Sequence, residues 1–312
     1  MKLTDMSWDY RAARTLQVAN GLGVFTLLSE GGMPADEIAR RSGTKPDLTE
    51  KLLIACTAMG LLEKTGTEYR NTGLAETYLV QGRKLYLGDM IAHSARMWGF
   101  WNDLDDNIRL EDAPRPQPDD HRHFIMGMHN IAITGRAQMI AETIDLSTRT
   151  NLLDVGGGPG TYSIVLCTKN PQLKATVFDL PETIAITREV IVKEKMTDRV
   201  GVQEGDWGAD TFGEGYDVVL MSNVLHGRAT DPGMKLAKAC DAAADGALLI
   251  IQEFLLDDDK TGPLMPALFN VMVGAYSRPE LFEDIRKAGF IEPMAVLDME
   301  EHGSMLITAS KP

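Results

Sequence analysis

Residues 152–160 read LLDVGGGPG: a short strand-like run that breaks into glycines and is followed, from Thr161, by helical spacing. Gly156, Gly158 and Gly160 allow a turn too tight for side chains and bring the main chain close to whatever binds there. The next apolar run, KATVFDL, ends at Asp179, roughly 20 residues on, placed to bond both hydroxyls of a ribose. Strand, glycines, helix, strand and terminal Asp, in that order, predict an adenosine-bearing ligand at the C-terminal edge of a parallel sheet.

Outward from this motif the pattern continues. VGVQEGD, YDVVLMSNVL and GALLIIQEFLL are short apolar runs stopped by Gly, Asp or Pro. Helical segments separate the runs: Thr161–Lys169, Glu182–Lys195, Met234–Ala244 and Pro279–Ala288. Continuous apolar strands alternating with helices predict an α/β fold, a parallel sheet covered on both faces. The tail adds IEPMAVL and SMLITAS, too closely joined for a crossover, and therefore an antiparallel pair at a sheet edge.

Upstream the texture changes. Arg11–Leu28 has helical spacing. A second helix starts at Pro34, with Asp36 and Glu37 in its first turn, and stops at Gly43. A third follows Pro46, burying Leu48, Leu52, Leu53, Ala55 and Met59 before Gly60. LLEKTGTEYRNT then places Gly66 between two extended runs, a small hairpin. Helix, turn, helix, hairpin is a winged-helix pattern, but KPDLTEK offers Asp47 and Glu50 where phosphates would want Arg and Lys. Dimerisation is the expected use. Beyond MWGFW, Pro114, Pro116 and Pro118 form a stiff connector before helical spacing resumes over Phe124–Ile144. The expected domains are 1–95, a winged-helix-like dimerisation domain; 96–145, bridging helices and connector; and 146–312, the cofactor-binding catalytic domain.

Composition bounds the function. The 312 residues include 45 acidic and 31 basic side chains, a formal charge of −14, which argues against nucleic acid or an anionic membrane as partner. No stretch approaches the roughly 20 apolar residues of a membrane span, and the N-terminus has no apolar signal core. A cytoplasmic setting is expected. Cys56, Cys167 and Cys240 form no CxxC pair and read as buried reduced thiols. His121 and His123 flank the connector without an acidic cluster, so no metal is expected.

NAD and S-adenosylmethionine both suit the glycine motif. Three features favour the second. The loop is GGGPG, with Pro159 where a dinucleotide loop would offer amides to a pyrophosphate. EGDWG after the third strand lets Asp206 meet the adenine amino group while Trp207 covers the ring. The terminal hairpin suits the methyltransferase form of the sheet. With LLDVGGGPG, VFDLPE, EGDW, VLMSNVLH, IIQE and ELFEDIRKAGF, nearly the whole chain resembles the plant-type small-molecule O-methyltransferases, a family with many bacterial members. The resemblance implies a class I methyltransferase, homodimeric through its N-terminal domain. It assigns the cofactor loop to Gly156 and Gly158, the ribose carboxylate to Asp179 and the adenine side to Asp206 and Trp207. Ser222 stands where the family often has Lys.

His226 follows the fourth strand and Glu253 lies at the end of the fifth, so both should emerge at the edge that carries the glycine loop. A buried carboxylate fixes an imidazole's tautomer and raises its basicity, as removing a phenolic proton (pKa about 10) requires. The resemblance makes His226 the general base and Glu253 its orienter. Two departures stand out: His226-Gly227-Arg228 replaces His-Asp-Trp, and Tyr276 in MVGAYSRPEL replaces a second acidic residue. The expected acceptor pocket is apolar and aromatic: Trp98, Trp101, Phe124, Met128, Phe269 and Met272, with His129 in reach and Tyr276 beside the base. The expected acceptor is a flat hydroxylated molecule. Methylation of carbon, nitrogen or sulfur, a ligand-responsive winged-helix regulator and an NAD-dependent oxidoreductase are the alternatives.

Overall fold

The computed structural model describes residues 3–109, 121–226, 231–299 and 303–312. The expected Pro114–Pro116–Pro118 connector and Gly227-Arg228 lie outside the described residues. The chain forms two compact units, Met1–Thr134 and Gly135–Pro312.

In the first unit the single helix expected over Arg11–Leu28 is two, Tyr10–Gly21 and Val24–Leu28. Gly23, at φ +69°, takes a left-handed conformation that ends one and starts the other. Helix Ala35–Ser42 begins after Pro34 and is capped by left-handed Gly43, as its sequence predicts. Helix Pro46–Ala58 shows a different inner face from the expected one. Thr49, Leu53 and Cys56 are buried, while Leu48 (56 % exposed) and Met59 (36 %) are not. Positions 49, 53 and 56 share one stripe of a 3.6-residue period, and Leu48 falls outside it. Strands β1 (Met33–Pro34), β2 (Leu62–Thr65) and β3 (Glu68–Asn71) form a small sheet, with Gly66 turning the β2–β3 hairpin at φ +61°. Phe25, Ile38, Leu53 and Tyr69 fill the core beneath. Farther along, helices Gly88–Arg96 and His121–Ile131 approach so closely that a methyl group on Gly127 would lie 3.3 Å from Met90 Cα.

The second unit carries the large sheet. Its strands are β4 (Asn151–Val155), β5 (Lys174–Asp179), β6 (Val200–Glu204), β7 (Tyr216–Ser222), β8 (Ala243–Leu256), β9 (Tyr276–Ser277), β10 (Ile291–Met299) and β11 (Ser304–Ser310). Their spatial order is β10-β11-β8-β7-β4-β5-β6, with short β9 pairing β8. The five strands from β4 to β8 are parallel; β11 runs antiparallel between β8 and β10. Leu152, Leu153, Val218, Val219, Leu220, Met221, Ile250 and Ile251 are fully buried, as strands covered on both faces must be. The chain leaves β4 toward β5 and β6, then returns to the other side at β7. That reversal opens a crevice at the C-terminal ends of β4 and β7, the place where open α/β sheets bind ligands.

Candidate active site

The crevice begins with the glycine loop. Gly156, Gly158 and Gly160 take φ of +63°, +54° and +76°, so each uses the left-handed freedom its sequence position requires. Space is short as well. A methyl group on Gly156 would lie 2.7 Å from Val224 Cγ1 and 3.1 Å from Trp207 Cζ3. Asp179, ending β5, reaches back across the loop: its Oδ2 accepts from the Gly158 amide at 2.8 Å and its Oδ1 from Leu180 N at 2.8 Å. Thr187 donates to the Gly158 carbonyl at 2.6 Å. The loop is therefore held in shape by the protein's own groups.

Below the loop Asp154 is wholly buried, its Oδ2 accepting from Ser163 at 2.7 Å. Burial pushes its carboxyl up to about 7. Asp154 Oδ1, Asn223 Oδ1 and Gln252 Nε2 are buried polar atoms that find no partner among the described residues. Such orphans mark where a polar ligand completes the bonding. The zwitterionic end of S-adenosylmethionine carries both donors and acceptors suited to them. Ser222 Oγ donates to Gln252 Oε1 at 3.2 Å, so the residue in the lysine position orients that amide.

Asp206 and Trp207 stand beyond β6. Asp206 is exposed and caps its own turn, accepting from Gly208 N at 2.7 Å. Trp207 is half-buried, and Lys235 Nζ lies 3.7 Å from its ring centroid. Lys235 is a functional candidate that the sequence reading does not contain. It is 1 % exposed, and its ammonium donates to the Val224 carbonyl at 2.5 Å. Burial lowers its pKa to about 8, against the opposing pull of Glu253 and Asp231. One cation thus ties Trp207 to the segment that carries His226.

His226 and Glu253 meet as expected. His226 Nδ1 donates to Glu253 Oε1 at 2.8 Å, and Glu253 is fully buried. Glu253 also accepts from Leu225 N (3.2 Å), His226 N (3.3 Å) and Phe254 N (2.9 Å). Those main-chain bonds supply the partners a buried carboxylate needs. Tyr276 differs in role from a substitute acidic orienter: its hydroxyl donates to the Leu225 carbonyl at 3.2 Å, bracing the chain next to the histidine. Phe269 packs edge-on against the imidazole, centroids 4.9 Å apart, and Phe254 lies 6.0 Å from it and 4.3 Å from Phe269. Phe254 is a wall residue hidden from the sequence reading inside a strand. Met272 is half-buried at the end of helix Leu264–Met272.

The other pocket candidates belong to the first unit. Phe124 packs on His93 with centroids 5.1 Å apart, and burial lowers the pKa of that histidine. Met128 is half-buried, and His129 is buried, on the same helix. Trp98 packs on Tyr10 at 6.0 Å and Trp101 on Phe100 at 5.5 Å. Cys56 and Cys167 are buried, which pushes both thiols up to about 11; Cys240 is half-buried rather than fully so. Among the described residues no group of three or more His, Cys, Asp or Glu is arranged to hold a metal, and no helix is long and apolar enough to cross a membrane.

Residues 108–286 match the O-methyltransferase domain family and residues 4–81 the O-methyltransferase dimerisation domain. The 3-hydroxy-5-methyl-1-naphthoate 3-O-methyltransferase of Streptomyces sahachiroi is 36 % identical, over 94 % of this chain and 90 % of that protein. The N,N-dimethyltransferase OxyT of Streptomyces rimosus is 27 % identical over 99 % and 96 %. Human N-acetylserotonin methyltransferase, solved in complex with S-adenosylmethionine, superposes with a TM-score of 0.87 at 25 % identity, covering 99 % and 96 % of the two chains. With a parallel sheet, a glycine-lined crevice at its reversal point and this family match over most of its length, the chain belongs to the S-adenosylmethionine-dependent O-methyltransferases.

Proposed function

We propose that the chain methylates a hydroxyl of a small aromatic or polycyclic acceptor, with His226 as general base and Glu253 as its orienter. The 2.8 Å bond between His226 Nδ1 and the buried Glu253 carboxylate carries this reading. It fixes the tautomer with the lone pair on Nε2, the nitrogen that takes the acceptor's proton. As the proton leaves, Glu253 stabilises the imidazolium. Phe254 and Phe269 hold a flat ring beside the base. Gly156, Gly158, Asp179, Asp206, Trp207 and Ser222 would hold the cofactor, with Asp154, Asn223 and Gln252 at its amino-acid end. When bound, S-adenosylmethionine supplies an electrophilic methyl group on a sulfonium sulfur. The protein's contribution is chiefly positioning, with general-base help of about 10²–10⁴-fold.

A homodimer formed through the N-terminal unit belongs to the same proposal. The dimerisation-domain match and the exposed Trp8, Leu48, Ile54 and Leu74 support it. The proposal also includes the three-part division at residues 95 and 145, a cytoplasmic location and the absence of a nucleic-acid partner. In the helix that would read DNA, Asp47 and Glu50 put carboxylates where phosphates would need cations, and Glu50 engages Lys64 at 3.1 Å. Incubation with S-adenosylmethionine and a hydroxynaphthoic acid, followed by mass spectrometry, should give the O-methyl ether. Transfer to ring carbon or to an amine in place of oxygen, the second in line with the N,N-dimethyltransferase name of OxyT, would overturn the hydroxyl assignment.

A further inference from the structure

Arg136 closes a π-helical turn, Ala132–Arg136, between helices His121–Ile131 and Ala137–Thr143. Gly135 within that turn has φ +132°, a conformation a side chain would strain. Widening one turn of a helix re-aims the residue that follows, and such turns recur at functional sites. Here the guanidinium carbon of Arg136 lies 5.9 Å from the centroid of Phe254. The same ring lies 6.0 Å from the His226 imidazole. Guanidinium and imidazole therefore flank one aromatic wall, separated by no more than the sum of those two distances.

We infer that Arg136 is a specificity-determining residue that recognises a carboxylate on the acceptor, making the substrate class an aromatic hydroxy acid. This rests on the proposed methyl transfer to a hydroxyl beside His226. A guanidinium presents a planar fork of N–H donors that matches a carboxylate with two parallel bonds. Burial lowers the pKa of Arg136, a sign that its cation is partly stripped of water, and a desolvated cation gains more from an anion than a hydrated one does. The flat rings of Phe254 and Phe269 fit the body of such a molecule, and His226 stands where its hydroxyl would lie. The whole chain carries a formal charge of −14, which repels an anionic acceptor at long range. A local cation offsets that repulsion where the acid binds.

The test compares a hydroxynaphthoic acid with its primary carboxamide, which keeps the ring and hydroxyl but has no charge. With the wild-type protein, kcat/KM for the acid should exceed that for the amide by roughly tenfold to a hundredfold. In Arg136→Met that ratio should collapse to near one, and in Arg136→Lys it should fall part of the way. Titration with S-adenosylhomocysteine checks that each variant is folded. A wild-type ratio near one, or an unchanged ratio in a folded Arg136→Met, overturns the role of Arg136. Methylation of neither compound, or of an atom other than the hydroxyl oxygen, overturns the underlying reading instead.

Discussion

The two halves of the crevice are built of different material. Beside β4 and β5 the main chain does the shaping. Gly156, Gly158 and Gly160 are left-handed, and Asp179 fastens the loop by one of its amides. Beside β7 and β8 side chains do it: Glu253 and Phe254, near the end of β8, meet His226 and Phe269 from the segments that follow β7 and β8. A main-chain cradle tolerates few residue types: substitution there meets backbone strain, joined at Gly156 by collision. A side-chain wall can be recut one residue at a time while the strands beneath stay put. The first arrangement suits a ligand shared across a family, the second a ligand that varies.

His226→Ala should have the largest effect. Methyl transfer should fall by about 10²–10⁴-fold. Affinity for S-adenosylhomocysteine, measured by calorimetry, should stay within about threefold, less than the value of one hydrogen bond. A comparable loss of affinity would break the division between the halves. Gly156→Ala sharpens it from the other side. The new methyl meets Val224 and Trp207 in a left-handed backbone, so stability should fall by about 1–3 kcal/mol and S-adenosylhomocysteine should bind at least tenfold more weakly. Denaturant unfolding and titration read the two effects.

Asp154→Asn gives the smallest change, and one with a pH signature. Burial raises the native carboxyl to about 7, whereas the unfolded value is near 3.9. Between those values the folded chain holds a proton that the unfolded chain has lost, so native stability falls as pH climbs through that window. Asparagine does not titrate. In the cofactor-free protein the variant should gain on the wild type by about 1–2 kcal/mol between pH 5 and about pH 6.5. No gain would mean that the Asp154 carboxylate is already satisfied without its ligand.

The same division explains what could be read from the sequence. Every strand of the large sheet except the two-residue β9 announces itself as an apolar run, and the glycine loop with Asp179 is a pattern of fixed spacing, because main-chain geometry leaves its mark in residue type. His226 and Glu253 were legible too, since strand ends at one sheet edge must lie together. Lys235 was not. A lysine in the first turn of an amphipathic helix reads as solvated, and only Trp207, brought from another loop, makes it a buried cation. Phe254 was hidden because it follows Glu253 within one long strand. Arg136 depends on a π-turn that leaves no periodic trace, and Tyr276 on a carbonyl whose position no spacing rule gives. The split at Gly23 and the rotated face of helix Pro46–Ala58 are smaller misreadings of the same kind, in which tertiary packing overrides local pattern.

The placement of β11 bears on how this molecule is made. Residues 304–310 come after every other strand in the chain, yet they lie between β8 and β10 rather than at a margin. As the polypeptide leaves the ribosome, the sheet cannot grow by adding neighbours in order of synthesis. One flank of β8 keeps a row of unpaired amides and carbonyls until that late segment arrives, and β10 has nothing to join. Completion of this sheet waits on a strand translated after all its other members, and during that interval the open flank of β8 is where a nascent chain is most exposed to aggregation and to chaperones.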